Sequence, residues 1–189
     1  MLKKFGLTTI VTKGDTSDMN SAALALGGLT NGVIPLEMAQ AYATFPNGGV
    51  RQSSIAYTEV TDRHGKVLLK SKSKKKKVMD EGVAFIMTDM LRTVVSNCIA
   101  GAASISGVQA GGKTGTTNSN YDIWFDGFTP NYAASLWIGT DVNIKLSSMS
   151  GMAARLWGRI MNQVPNAKNG KYKSMPNDVV KVGSEYYTK

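Results

Sequence analysis

Apolar residues recur at helical spacing in three stretches of the chain and alternate or cluster at strand spacing in six others. In "VIPLEMAQAYATFPNGGV", Met38, Tyr42 and Phe45 share one face and Pro35 suits a first turn. Pro46 and Gly48-Gly49 end that run, so a helix is predicted between them. From Asp80, a candidate N-cap, Val83, Ile86, Met87, Met90, Leu91, Val94 and Val95 follow the spacing of a long amphipathic helix. The methionines on or beside this stripe read as core filler, since flexible thioethers fill irregular gaps. In "SSMSGMAARLWGRIMNQV", Met149, Met152, Ala153, Leu156, Trp157, Ile160 and Val164 predict another such helix, ended by Pro165.

"IAYTEVTDRHGKVLLK" predicts two strands, Ile55 to Thr61 and Lys66 to Lys70, around an Asp-Arg-His-Gly turn. "VQAGGKTGTT", "YDIWFDGFTP" and "YAASLWIGTD" predict three consecutive strands, rich in aromatic and β-branched residues after the first. With short connections, they form an antiparallel meander flanked by the two long helices. The fold class is therefore α+β, an antiparallel β-sheet packed with helices. The opening is short and polar, and the tail from Asn166 reads as an extended exit or linker with a short strand at "DVVKV". The organisation expected is one domain portion over 1–165 followed by a tail over 166–189. No internal repeat is visible.

Composition changes this picture little. At 189 residues and 42% hydrophobic the chain can bury a core as one domain or part of one. Twenty-two basic against 13 acidic residues give +9, which favours anionic wall polymer, lipid headgroups or nucleic acid as partners. "KSKSKKKK" reads as a mobile exposed loop, and Lys70 to Lys77 as a candidate contact for an anionic polymer. The single cysteine, Cys98, excludes an internal disulfide and lies in an apolar run, as a small buried hydrophobe would. His64, the one histidine, falls in a predicted turn and reads as solvated, neither a metal ligand nor a triad member. No run approaches the roughly 18 apolar residues of a membrane span, and "MLKKFGLTTIVTKGD" is too short in its apolar part for a signal peptide.

Lys113 carries the chemistry, and two patterns claim it. Gly107 to Thr114, "GVQAGGKT", matches the phosphate-binding G-x-x-x-x-G-K-[ST]. Lys113-Thr114-Gly115 also matches the K-T-G that accompanies a serine nucleophile in acyl-transferring enzymes. A phosphate loop needs a helix to begin at the Lys-Thr, where amides and the dipole meet phosphate. Here "GTTNSN" follows, all poor helix formers or good turn formers, so the lysine is expected on a strand. On that strand Lys113 and Gly115 face one way, and Thr114 and Thr116 the other.

Beyond K-T-G, the segments "LALGGLTNGVIPLEMAQAYATFPNGGV", "VTDRHGKVL", "MTDMLRTVV", "AGGKTGTTNSNYDIWFDGFTPNYAASLWIGTD" and "ARLWGRIM" occur in one order. In that order the chain resembles the C-terminal half of the transpeptidase domain of class A (bifunctional) penicillin-binding proteins, over most of residues 1–165. The resemblance implies a five-stranded antiparallel sheet with helices, and peptide cross-linking of peptidoglycan outside the cytoplasmic membrane. It implies peptidoglycan stem peptides and β-lactams as ligands, with no cofactor, no metal and no nucleic acid. It further implies that Lys113 supplies positive charge beside the nucleophile's proton path. Thr114 and Thr116 would offer hydroxyls to the substrate carboxylate, Gly115 would leave room, and the Thr116 amide would be an oxyanion-hole donor. Thr117, Asn118, Tyr121 and Trp124 would complete the cleft and its rim.

Two motifs of that family are missing. No S-x-N occurs, and S-x-x-K occurs only at Ser71 with Lys74 and at Ser73 with Lys76, inside the lysine run. A nucleophile must be held within roughly 2.6 to 3.2 Å of its base, which a charge-repelling loop does not do. The chain is therefore expected to supply one wall of an active site and to be inactive alone. The nucleophile would come from the N-terminal half of the domain, in one longer protein or as a separate chain. Exposed apolar surface, a partner or self-association should accompany that division.

Overall fold

The computed structural model describes residues 1–97, 100–147 and 151–189. Cys98 and Met149, with the expectations attached to them, lie outside the described residues. The elements run α1 Leu2–Phe5, α2 Ser21–Ala25, α3 Pro35–Ala43, β1 Val50–Gln52, β2 Glu59–Thr61, β3 Val67–Lys70 and β4 Lys75–Lys77. They continue with α4 Glu81–Asn97, a 3-10 turn at Gly101–Ala103, β5 Gly111–Thr116, β6 Ile123–Phe128, β7 Ala133–Ile138, α5 Gly151–Met161, β8 Val179–Val182 and β9 Glu185–Thr188. The class is α+β, as the pattern predicts. The central sheet, however, holds three strands in the order β5-β6-β7, antiparallel, in place of the five that the resemblance implies for a whole domain.

Directly opposed residues of antiparallel strands share a face, so the unbroken registers divide the sheet cleanly. One face carries Ile123, Phe125, Leu136 and Ile138 and is covered by α5. There Trp157 meets Phe125 at 5.1 Å between ring centroids and donates its indole N–H to the Ala134 carbonyl at 3.0 Å. The other face carries Lys113, Asp126 and Ser135 in one row, and Gly115, Trp124 and Trp137 in the next. Helices α3 and α4 cover that face, α3 over β6 and β7 and α4 over β5.

The helices bury part of what the spacing picks out, Leu91 and Val95 of α4 and Ala153 and Trp157 of α5, together with small residues it passes over. Helix α4 buries Gly82, Ala84, Thr88, Leu91 and Val95, while Val83 and Met90 are exposed. Small residues let its axis approach β5 and the tail closely, which turns the bulkier stripe toward the flank. Thr88 is tolerated there because its hydroxyl donates to the Ala84 carbonyl at 2.7 Å. The Asp80 carboxylate pairs with Lys77 at 2.6 Å, and the Asp80 carbonyl accepts the Ala84 amide. Helix α5 likewise buries Ala153, Ala154, Trp157, Gly158 and Met161 and leaves Met152, Leu156 and Ile160 exposed. A Cβ on Gly158 would stand 2.9 Å from the Ala102 carbonyl oxygen, so this contact requires glycine.

Three peripheral expectations need correction. Residues 1–33, where no element is predicted, contain α1 and α2, and buried Phe5 of α1 stacks near Phe45 at 5.6 Å. The lysine run is not simply a loop: β4 pairs with β1 in register, Arg51 opposite Lys76. Ser53 clamps the pair, accepting the Ser73 hydroxyl at its carbonyl and the Lys74 amide at its Oγ (2.8 Å), while buried Val78 anchors the end. The side chains of β4 stay in solvent. The tail contains the strand expected at "DVVKV", but β8 and β9 form a hairpin docked on α4, with Tyr186 edge-on to Phe85 at 5.2 Å. Tyr172 packs against Phe128 and beneath Arg92, so the tail's aromatic residues fix what its composition suggests is a linker. His64 sits exposed in the β2–β3 turn, where Asp62 accepts the His64 and Lys66 amides.

Candidate active site

Strand β5 forms one edge of the sheet, and among the described residues no strand pairs with its other side. Lys113 and Thr114 lie in mid-strand, with no helix beginning there, so the phosphate-loop reading fails on geometry. The Thr117 amide donates to the Asp122 carbonyl at 3.1 Å, which makes 117 and 122 a hydrogen-bonded pair. Pairs alternate along an antiparallel ladder, so the amides and carbonyls of Thr114 and Thr116 point away from β6, into the open side. Lys113 is exposed, and its Nζ donates to the Thr114 carbonyl at 3.1 Å and to Thr114 Oγ1 at 3.4 Å. One edge thus presents an ammonium, two hydroxyls and two outward amides.

Glycine shapes the same strand. A Cβ on Gly112 would meet the Asp126 carbonyl oxygen and Phe125 Cζ, both at 2.6 Å. One on Gly115 would meet Trp124 Cβ at 3.3 Å, a tight but softer contact. The turn after β5 is held by Thr117, whose Oγ1 accepts the amides of Tyr121 (2.9 Å) and Asp122 (3.0 Å). Thr117 thereby spends its acceptor on the turn and keeps its proton to donate. Asn118 is exposed at the tip, and Tyr121 is half-buried. Trp124 lies on the Lys113 face beside Trp137, centroids 6.2 Å apart, and Trp137 is tied to Asp122 through its indole N–H at 2.9 Å. Lys113, Thr114, Gly115, Thr116 and Trp124 therefore share one strand pair, with Thr117, Asn118 and Tyr121 in its connecting turn.

Ser71 and Ser73, with their lysines, are on the β3–β4 side of the molecule, and Ser73 Oγ is engaged by the Ser53 carbonyl. The motif passes over Asp126. It lies directly opposite Lys113, is 5% exposed, and its Oδ1 has no hydrogen-bond partner among the described residues. Burial pushes its carboxyl up to about 6, with the neighbouring Ser135 hydroxyl opposing. Strand alternation puts Asp126 on the Lys113 face, which is the signal that would have found it.

Residues 2–164 match the family model described as the penicillin binding protein transpeptidase domain. Penicillin-binding protein 1A of Clostridium botulinum (strain Langeland) is 43% identical over 163 residues, 85% of this chain and 19% of that protein. Penicillin-binding protein 1A of Clostridium acetobutylicum is 38% identical over 186 residues, 98% of this chain and 22% of that protein. The chain thus spans about a fifth of the length of these relatives. The crystal structure of Penicillin-Binding Protein 1A from Haemophilus influenzae superposes with a TM-score of 0.75 at 25% identity, covering 95% of this chain and 32% of that one. The PonA1 protein from Mycobacterium tuberculosis, solved in complex with penicillin V, gives 0.77 at 20% identity over 91% of this chain and 50% of that one, a likeness of fold. With the K-T-G on an open edge strand and the family match over most of its length, the chain belongs to the penicillin binding protein transpeptidase domain family.

Proposed function

We propose that this chain supplies the K-T-G wall of a serine D,D-transpeptidase that cross-links peptidoglycan stem peptides. The observation that carries the reading is the open β5 edge, where Lys113 and the outward amide of Thr116 stand together. In the reaction, a serine Oγ attacks the carbonyl between two terminal D-alanines. The C–N bond breaks, D-alanine leaves, and an amine of a neighbouring stem peptide displaces the serine from the ester. The Thr116 amide is one oxyanion donor, a type of contact worth on the order of 3 kcal/mol in the transition state. Lys113 lends positive charge to the proton path, while the Thr114 and Thr116 hydroxyls receive the substrate carboxylate. Gly115 leaves room, and Thr117, Asn118, Tyr121 and Trp124 line the rim.

The nucleophile and its lysine come from outside these residues, so the chain alone does not acylate. Penicillin binding by the PonA1 protein supports β-lactams as ligands, and the family match supports a site on the extracytoplasmic face of the membrane. The Lys70 to Lys77 ribbon offers a contact for an anionic wall polymer.

Intact-mass measurement after incubation with a β-lactam tests the reading, on this chain alone and with a fragment bearing the S-x-x-K and S-x-N segments. One adduct on the fragment, formed only in the mixture, is expected. Stoichiometric acylation of this chain alone would overturn the assignment of its role.

A further inference from the structure

We propose that Asp126 is a positioning residue for Lys113: when ionised, its carboxylate draws the Lys113 ammonium from the Thr114 carbonyl onto the sheet face and so sets where that charge stands. The proposal rests on the functional reading above and adds a residue outside the K-T-G motif. Its geometry is specific. Asp126 and Lys113 are directly opposed in register, and their side chains leave the sheet on the same face. Opposed β-carbons lie about 5 Å apart, well within reach of a four-carbon lysine stem.

The carboxylate needs a partner and the lysine has capacity to give. Asp126 is 5% exposed with Oδ1 unbonded among the described residues, and a buried carboxylate without a donor is costly. Lys113 Nζ is curled onto its own neighbour, donating to one carbonyl and, at 3.4 Å, to one hydroxyl, although an ammonium carries three donors.

The groups packed around Asp126 leave that role to Lys113. From α3, Tyr42 faces it, and burial together with the Asp126 charge pushes the tyrosine hydroxyl upward, so it stays neutral. From β7, Ser135 lies opposite. From α4, the nearest cation is Arg92, whose Cγ borders Gly111, one same-face position from Lys113. Arg92 spends its terminal nitrogens on Gln109 and Asp89 and its face on the ring of Tyr172, leaving only a buried Nε without a partner among the described residues.

The test uses the transpeptidase that contains this chain and follows the rate of β-lactam acylation against pH. Wild type should lose rate as Asp126 is protonated, running roughly tenfold slower at pH 5 than at pH 7. Asp126→Asn should flatten that limb and hold the rate near its acid-side value throughout. An unchanged acid limb in Asp126→Asn overturns the proposal while leaving the functional reading intact. Absence of acylation in wild type removes both. As a second readout independent of turnover, NMR titration of the Asp126 carboxyl should show a higher midpoint in Lys113→Ala than in wild type. An identical midpoint in the two proteins also overturns the coupling, and this arm survives a failure of Asp126→Asn to fold.

Discussion

At the scale of single residues, Asp126 connects packing to pH. Its carboxyl titrates at about 6 in the folded chain instead of the usual 3.8, because burial penalises the charged form. The folded state therefore holds a proton that the unfolded state has released between these values. Its contribution is full below the unfolded value and is lost as pH rises through about 6. The raised carboxyl corresponds to roughly 3 kcal/mol, so denaturant unfolding should give a smaller free energy at pH 7.5 than at pH 4.5 from this group. Asp126→Asn should remove that slope and be more stable than wild type at pH 7.5; a slope unchanged by the substitution would refute the assignment. The strand position of Lys113 was legible in sequence, because Gly115, Asn118 and Ser119 are poor helix formers and good turn formers. Alternation places Asp126 on the Lys113 face, but its burial was not legible, since the packing of the helices over that face encloses this position.

At the scale of elements, small residues decide which faces meet. Spacing alone located α4 and α5 and picked out Leu91, Val95, Ala153 and Trp157 of their buried lines, but it also picked the exposed Val83, Met90, Leu156 and Ile160. It weights bulk, and so passes over Ala84, Ala154 and Gly158, through which the contacts also run. The same logic makes β5 intolerant of added atoms. Gly112→Ala would put a methyl group 2.6 Å from both a carbonyl oxygen and the Phe125 ring. A cost of about 1–3 kcal/mol is expected from such overpacking, visible as a lower melting temperature and as weakened acylation of the complete domain. Gly115→Ala, with its nearest contact at 3.3 Å, should cost less. The lysine run shows how composition misleads when backbone pairing is hidden: six like charges do not prevent β4 from joining β1, because their side chains remain hydrated. Held in register, the exposed lysines of β4 alternate between the two faces of a fixed ribbon. If an anionic wall polymer docks there, replacing Lys72, Lys74, Lys75 and Lys76 with glutamine should weaken retention on a polyphosphate matrix and flatten its salt dependence. Retention equal to wild type would reject that surface.

At the scale of the whole molecule, the apolar surface left over is as informative as the core. The α5 side facing the sheet is dry, with Trp157 1% exposed, yet its other side carries Leu156 at 42% and Ile160 at 47%. On α4, Val83 and Met90 are also exposed. A helix apolar around most of its circumference is ordinarily covered on both sides, and open patches of this kind promote association. The proposed site points the same way, since on that reading the Lys113 ammonium and the outward Thr116 amide serve a nucleophile from outside these residues. Both observations fit a body whose remaining wall is supplied by further polypeptide. On its own, the chain should therefore bind a hydrophobic dye and self-associate in sedimentation equilibrium. Leu156→Gln with Ile160→Gln should reduce both while leaving the melting temperature nearly unchanged, because neither side chain contributes to the buried cluster around Trp157 and Phe125. Addition of the nucleophile-bearing fragment should lower dye binding of the unsubstituted chain as the uncovered surface is filled. Dye binding indifferent to both the substitutions and the fragment would show that these rows are ordinary solvated surface, and that the open edge of β5 must find its missing wall elsewhere.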